Sequence, residues 1–245
     1  VYVYNNRGQE IDFIAAKGQR EYLIQVAYTV AEEKVYDREM GAFAALDNVG
    51  ANNPELSDET RLATLLSPFI SLDGINEKGV SIAVLTLDSK PVRQQSGKPV
   101  IATTLAIRLI LDRAASTEEA VTLFEKYDMF ASSGRDYHFY VTDSNGDGCV
   151  IEYDCNSDDR KLVVTKSPAV TNFFVMYKNF VKPYQKNGVY GHGRERYDKI
   201  INILEKNNSY TKETAWEALV SASQAPNPND ITSNTQWSIV YDNTN

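Results

Sequence analysis

The stretch from Asp73 to Leu87 constrains the fold of this chain more than any other. Residues 73–80 contain Asn, Lys and two glycines, a composition typical of a turn, because glycine adopts positive φ at no steric cost. Residues 81–87 read Ser-Ile-Ala-Val-Leu-Thr-Leu and are almost continuously apolar over the length of one strand. Such a run predicts a strand that is buried on both faces, at the centre of a layered sheet.

Length, charge and hydropathy limit the size, the partners and the location of the protein. With 245 residues, 42% of them hydrophobic, the chain suits one large domain, or one domain with an appendage. Its formal net charge of −8 argues against nucleic acid or an anionic membrane as the main partner. No apolar run approaches the ~20 residues that span a bilayer and no signal-peptide pattern is visible, so we expect a cytoplasmic protein.

The order of the predicted elements favours an α+β fold. Strands are predicted over residues 1–4, 11–15 and 22–28, followed by helices over 31–46 and 58–66. Ser116 and Glu119 match a capping box at the start of a helix. Strands that are grouped apart from paired helices predict α and β layers. The later predicted helices are 103–115, 117–127, 194–205 and 211–222, and the later predicted strands are 137–142, 149–153, 162–165 and 237–241.

Residues 143–148, with the sequence Asp-Ser-Asn-Gly-Asp-Gly, have two interpretations. They match the first half of a calcium-binding loop, but the twelfth position is Asp154 instead of Glu, and the flanking residues alternate as strands do. Asn-Gly and Asp-Gly are also the preferred pairs in hairpin turns. We favour the hairpin, with bound calcium as the alternative, and expect neither a metal nor a cofactor to be required.

The first part of the chain resembles a segment of another protein class. The sequence GQEIDFIAAKGQREYLIQVAYTVAEEKVYDREMGAFAAL, within residues ~1–45, is similar to the C-terminal, restriction-endonuclease-like part of prokaryotic AAA-type ATPases. In an active nuclease of that class, an Asp and a following acidic-x-Lys would bind Mg²⁺. Asp12 matches the first position, but Gln25 and Ala27 stand where the acidic residue and the lysine belong. Nuclease activity is therefore not expected.

Residues ~45–245 contain several motifs in a fixed order and spacing. The motifs are NEKG, GKPVIATTLAIRLILDRAASTEEAVTLFEKYDM, DYHFYVTDSNGDGCVIEYD, VVTKSPAVTNFF, GRERYDKI and TQWSIVYD. Together these segments are similar to the linear amide C–N hydrolases of the choloylglycine-hydrolase and penicillin-acylase group. The resemblance implies an N-terminal-nucleophile (Ntn) hydrolase with an αββα sandwich, acting on small N-acyl amides, and it allows a homo-oligomer. We accordingly divide the chain into residues 1–46, an appended hairpin and helix segment, and residues 47–245, the hydrolase domain.

The same resemblance implies three residues of the catalytic site. Asn172, in Val-Thr-Asn, matches the Asn whose side chain helps to form the oxyanion hole. Arg196, in Glu-Arg-Tyr, matches an Arg that orients charge. Thr86 stands at the end of the central strand, where bile-salt hydrolases carry Asn, which argues against a preference for bile salts. The residues that bind the rest of the substrate are not identified.

The resemblance departs from the family at the nucleophile. In the family an N-terminal Cys attacks the amide carbonyl and its own α-amine acts as the base. No segment here matches that opening strand, and residue 1 is Val. We therefore weigh an amide hydrolase, which would be inactive in this form, against a non-catalytic relic or ligand-binding protein. A third alternative is an accessory part of an ATPase or nuclease-like protein.

The two cysteines bear on both the nucleophile and the compartment. Cys149 and Cys155 lie on one predicted strand, where six residues span ~20 Å, so they cannot form a disulfide. This favours a reducing compartment. Cys149 could serve as a displaced nucleophile beside His138 on the neighbouring strand, whereas a buried structural Cys is the more common role. Residues 191–194, Gly-His-Gly-Arg, are interpreted as a flexible loop at the mouth of the site.

Overall fold

A computed structural model of the chain describes two compact units, Val1–Ile70 and Ser71–Asn245. The predicted helices 31–46 and 58–66, the boundary at residue 46, and the residues Asp12, Gln25 and Ala27 lie outside the described residues. The described residues are 4–6, 9–11, 13–17, 20–24, 57, 71–131, 134–186, 188–207, 211–225, 235 and 238–244.

The first unit contains two short antiparallel pairs. Strands β1 (Tyr4–Asn6) and β2 (Gln9–Ile11) pair with each other, as do β3 (Phe13–Lys17) and β4 (Arg20–Ile24).

A five-stranded antiparallel sheet organises the second unit. Its strand order is β11-β10-β9-β6-β5, so β9 is the central strand. The parallel pair β7 (Val100–Ala102) and β8 (Asp128–Phe130) forms a separate small sheet. The sheet strands are β5 (Asp73–Ile75), β6 (Ser81–Leu87), β9 (Asp136–Thr142), β10 (Gly148–Tyr153) and β11 (Leu162–Lys166).

Two helices cover one face of this sheet. Helix α1 (Thr103–Arg113) packs against β5 and β6, and α2 (Thr117–Phe124) packs against β9 and β10. The Ser116 hydroxyl accepts a hydrogen bond from the Glu119 N–H, as the capping box predicts. Side chains from the helices and the sheet form the main core, which includes Ile82, Ile107, Ile110, Phe124, Phe139, Val141, Cys149 and Ile151.

A second apolar cluster lies on the other side of β10. It is built from Val150, Phe173, Val175 and Tyr197, with the rings of Phe173 and Tyr197 in edge contact at 5.4 Å between centroids. This cluster joins a 3-10 helix (Val175–Phe180) to helix α3 (Arg194–Lys206). Helix α4 (Lys212–Ala222) begins at Thr211, whose hydroxyl accepts from the Thr214 N–H, and packs against α3.

Two predictions about strands were wrong. β6 is second from the edge of the sheet and mostly half-buried, because the described helices cover only one face of it. Residues 238–242 form no strand, since side chains rather than backbone pairing hold this segment: the Tyr241 hydroxyl donates to Asp73, and the Asn243 amide donates to Ser81. Trp237 lies outside the described residues.

The Asp-Ser-Asn-Gly-Asp-Gly segment is the turn of a hairpin, as we favoured. Strands β9 and β10 pair in register up to Thr142 and Gly148, and Gly146 adopts φ +81°. The Asp143 carboxylate accepts hydrogen bonds from the Thr117 N–H and hydroxyl, so it ties the turn to helix α2 instead of facing a cation.

The α+β class predicted from the sequence is confirmed. Within the part of the chain that the structure describes, no helix combines the length and the apolar character needed to cross a membrane.

Candidate functional site

Thr86, Asn172 and Arg196 lie together at one edge of the sheet. The Asn172 Nδ2 donates to the Thr86 carbonyl at 3.1 Å and lies 3.4 Å from the Thr86 hydroxyl. The Arg196 Nη2 donates to the Asn172 Oδ1 at 3.0 Å. Because a guanidinium can only donate and a carbonyl can only accept, these partners fix the orientation of the amide. Its N–H₂ group faces Thr86 and its oxygen faces Arg196.

The backbone N–H of Thr86 is directed to the same edge as the Asn172 amide. Among the described residues, the register of β5 and β6 ends with Asp73 opposite Ala83. The Val84 N–H donates across this edge to the Leu72 carbonyl at 2.9 Å. In an antiparallel strand, alternate residues point their N–H and C=O groups to the same side. The Thr86 N–H therefore points to the same side of β6 as the Val84 N–H. It thus faces the side of β6 on which the Asn172 amide lies.

Arg196 is a half-buried cation. It lies on the first turn of α3, and its guanidinium packs over Gly193. Burial lowers the pKa of the Arg196 guanidinium, and the neighbouring Glu195 partly offsets this effect. Among the described residues, no carboxylate forms an ion pair with Arg196, so its hydrogen bond to Asn172 is its one side-chain partner there.

The Gly191-His192-Gly193 segment packs tightly against the site and is not the loose loop that the sequence suggested. Both glycines have positive φ, at +99° and +86°. A Cβ on Gly191 would overlap the carbonyl oxygen of Asn172, and one on Gly193 would overlap the guanidinium of Arg196. The His192 N–H donates to the Asn172 carbonyl at 2.9 Å. Glycine is therefore required on both sides of His192 for the segment to approach Asn172 and Arg196.

A His–Asp pair that the sequence analysis missed adjoins the three residues. The His192 Nδ1 lies 2.8 Å from the Asp88 Oδ2, although 104 positions separate the two residues. Asp88 follows Thr86 by two residues, and His192 is hydrogen-bonded through its backbone to Asn172. The side chains of His192 and Asp88 are 36% and 51% exposed, so water reaches both. The available signal in the sequence was a His between two glycines.

A buried His–Glu pair holds the segment that follows Asn172. The Glu152 carboxylate accepts hydrogen bonds from the N–H groups of Val175 and Met176, at 2.6 and 2.9 Å. It also lies 3.1 Å from the His138 Nδ1, and both side chains are fully buried. These hydrogen bonds from Val175 and Met176 to Glu152 therefore anchor the segment that follows Asn172 to strand β10.

The proposed role of Cys149 as a displaced nucleophile is wrong. The side chain packs in the main core with Val141 and Ile151, and burial raises the pKa of its thiol to about 11. His138 points to the opposite face of the sheet, where it pairs with Glu152. A buried thiol with a raised pKa and no adjacent base is not activated for attack. Both Cys149 and Cys155 are free thiols.

A separate cleft of about 930 Å³ lies away from these residues. It is bounded by the β9–β10 turn, the start of α4 and residues 240–244, and neither Thr86 nor Asn172 lines it. Among the residues that the structure describes, no group of three or more His, Cys, Asp or Glu side chains is arranged to hold a metal ion.

Comparison with known proteins identifies the family. A sequence model described as linear amide C–N hydrolases, choloylglycine hydrolase family, matches residues 62–194, more than half of the chain. No curated protein matches.

Two solved structures share the fold. Penicillin V acylase from Agrobacterium tumefaciens is 18% identical with a TM-score of 0.50, and the match covers 65% of this chain and 55% of that protein. A variant of the conjugated bile acid hydrolase from Clostridium perfringens is 17% identical with a TM-score of 0.50, covering 66% of this chain and 62% of that protein. The chain thus spans about three-fifths of the length of these proteins.

The similarity to an ATPase in residues ~1–45 finds no support in these comparisons and stays a prediction. The match to the family model includes Thr86 and Asn172 and ends at Arg194, the first residue of α3, so Arg196 lies outside it. By that match, the chain belongs to the linear amide C–N hydrolases of the choloylglycine hydrolase family.

Proposed function

We propose that Thr86 and Asn172 bind the carbonyl group of an N-acyl amide while Arg196 positions the Asn172 amide, and that the chain serves the hydrolysis of linear amide C–N bonds in small molecules. The observation that carries this proposal is the contact of the Asn172 amide with Thr86 at the end of β6, with the orientation of that amide set by Arg196. Donors fixed in this way stabilise the negative charge that develops on a carbonyl oxygen during acyl transfer.

In this proposal each residue has a separate role. One N–H of the Asn172 amide is held by the Thr86 carbonyl, and its 3.4 Å approach to the Thr86 hydroxyl is long enough for a substrate oxygen to replace it. The second donor is the Thr86 N–H. Arg196 does not contact this oxygen in the proposal; it positions the Asn172 amide and contributes positive charge in a partly buried site.

The amide-hydrolase proposal is tested by amine release from a panel of conjugated bile salts, penicillin V and long-chain acyl amino acids. Replacing one donor of an oxyanion hole lowers kcat by about 10²–10³-fold, which is the loss we expect for Asn172→Ala. Asn202→Ala is the matched control, since Asn202 is exposed on α3 and its amide donates only to the Asp198 carbonyl. Turnover that survives Asn172→Ala would refute this assignment of the site.

A non-catalytic ligand-binding protein is the second candidate function. It is favoured by the state of the cysteines, because burial raises the pKa of both the Cys149 and the Cys155 thiols. Neither thiol therefore has the character of an activated nucleophile. An electrophilic acyl probe separates the two candidates: covalent labelling that a substrate blocks supports the hydrolase, whereas reversible binding of the same N-acyl amides without labelling or amine release supports the ligand-binding protein.

A further inference from the structure

We propose that His192 and Asp88 form a general-base dyad that activates water, so that this site hydrolyses acyl esters by direct attack of water. The inference depends on the proposed function in one respect, because it uses the same two N–H donors, of Thr86 and Asn172, to hold the oxyanion. It adds an activity and two residues to that site. The observation behind it is the placement of a hydrogen-bonded His–Asp pair directly beside Thr86 and Asn172.

The contact with Asp88 determines which nitrogen of His192 is basic. An ionised carboxylate only accepts hydrogen bonds, so the His192 Nδ1, at 2.8 Å from the Asp88 Oδ2, carries the hydrogen. The lone pair is then on Nε2, the arrangement in which a His acts as a general base while a carboxylate orients its ring. The exposed fractions of the two side chains, 36% and 51%, leave room for a water molecule to reach the imidazole.

The backbone of His192 is held against Asn172. The His192 N–H donates to the Asn172 carbonyl, and the glycines on both sides pack against Asn172 and Arg196 with positive φ. Asp88 lies two residues beyond Thr86 on the same chain segment. An ordinary surface ion pair contributes little and needs no such anchoring. Here both partners are continuous with residues that hold the candidate oxyanion site.

The proposed step balances as a hydrolysis. The His192 Nε2 takes a proton from water while the water oxygen forms a bond to the acyl carbon, and the carbonyl electron pair moves to the oxygen held by Thr86 and Asn172. Collapse of this intermediate breaks the bond to the leaving oxygen, which takes the proton from the imidazolium. The products are a carboxylic acid and an alcohol or phenol.

The test is release of p-nitrophenolate from p-nitrophenyl acetate by the full chain. Because general-base catalysis contributes about 10²-fold or more, we expect His192→Ala to lower the rate above background by at least that factor, and added imidazole to restore part of it. We expect Asp88→Asn to lower the rate less. Asp112→Asn is the matched control: Asp112 is 51% exposed, like Asp88, and pairs with Arg108 on α1.

Four results would overturn the dyad. The first three are a wild-type rate no higher than that of the same concentration of free imidazole, a rate unchanged in His192→Ala, and equal rates in Asp88→Asn and Asp112→Asn. A stoichiometric burst without turnover would show an acylated imidazole instead of activated water, and would also overturn it. Circular dichroism establishes that each variant is folded. Amine release measured in parallel separates the two proposals, since ester hydrolysis that needs His192 supports the dyad even if no amide is cleaved.

Discussion

Replacing Gly191 by Ala tests whether the close approach of this glycine to Asn172 holds the site together. Gly191 has φ +99°, and a Cβ at this position would overlap the Asn172 carbonyl oxygen and lie 2.6 Å from the Cα of Phe173. Both contacts are with backbone atoms, so no side-chain rotation can relieve them. The substitution must therefore move the segment around Gly191 away from Asn172 and Phe173, or distort one of these two segments.

The loss of unfolding free energy expected for Gly191→Ala has two parts. A residue with a Cβ loses about 1–2 kcal/mol in the left-handed region. Separation of the segments also weakens the hydrogen bond from the His192 N–H to the Asn172 carbonyl, and one such bond contributes about 1 kcal/mol. Because the packing around this hydrogen bond is lost as well, we expect Gly191→Ala to lower the free energy of unfolding by about 2–4 kcal/mol.

Gly97→Ala is the matched control for this prediction. Gly97 has φ +91°, close to that of Gly191, but a Cβ there would meet no atom within 4 Å. The control should therefore lose only the backbone term of about 1–2 kcal/mol. Urea unfolding followed by circular dichroism measures both variants. Equal losses in the two would refute the close-approach argument, since they would leave only the effect of positive φ.

Three further predictions concern buried groups of the sheet. Glu152→Ala should lower the free energy of unfolding by about 3–5 kcal/mol in urea unfolding, because it leaves His138 and two backbone N–H groups unpaired. Burial raises the pKa of Asp143, but hydrogen bonds led by the Thr117 N–H outweigh it and lower the pKa below 3.8. The stability that the ionised Asp143 carboxylate contributes is fully present above pH 3.8 and is lost as the pH falls through the lowered pKa. Asp143→Asn should therefore flatten the acid side of a curve of unfolding free energy against pH. Cys149, with a pKa of about 11, should react with a disulfide reagent at pH 8 only after unfolding.

The parts of the fold that the sequence predicted are those determined by neighbouring residues. The hairpin at residues 143–148 and the cap at Ser116 each depend on groups a few positions apart, so turn pairs and capping residues identify them. The burial of β6 and the path of residues 238–242 depend on what packs on them from far along the chain. Tyr241 reaches Asp73 across 168 positions, and nothing near residue 241 indicates that contact.

The candidate site divides in the same way. Thr86, Asn172 and Arg196 were identified by resemblance to a family, and the structure brings all three into contact. Asp88 and His192 belong to no motif of that resemblance, and each alone is an ordinary surface residue. Only the fold joins them, because the strand that ends near Asp88 and the turn at His192 meet on either side of Asn172.

Asn172 is the point at which three distant parts of the chain converge. Its side chain joins the end of β6 to the first turn of α3, and its carbonyl accepts from the segment before that helix. Because every polar group of its side chain has a partner, the amide has little freedom to rotate, and its donor is fixed before any substrate arrives. Preorganisation of this kind, rather than the strength of one hydrogen bond, makes a donor effective at a developing oxyanion. The same contacts place His192 within the site, so the chemistry of the dyad and that of the amide depend on one geometry.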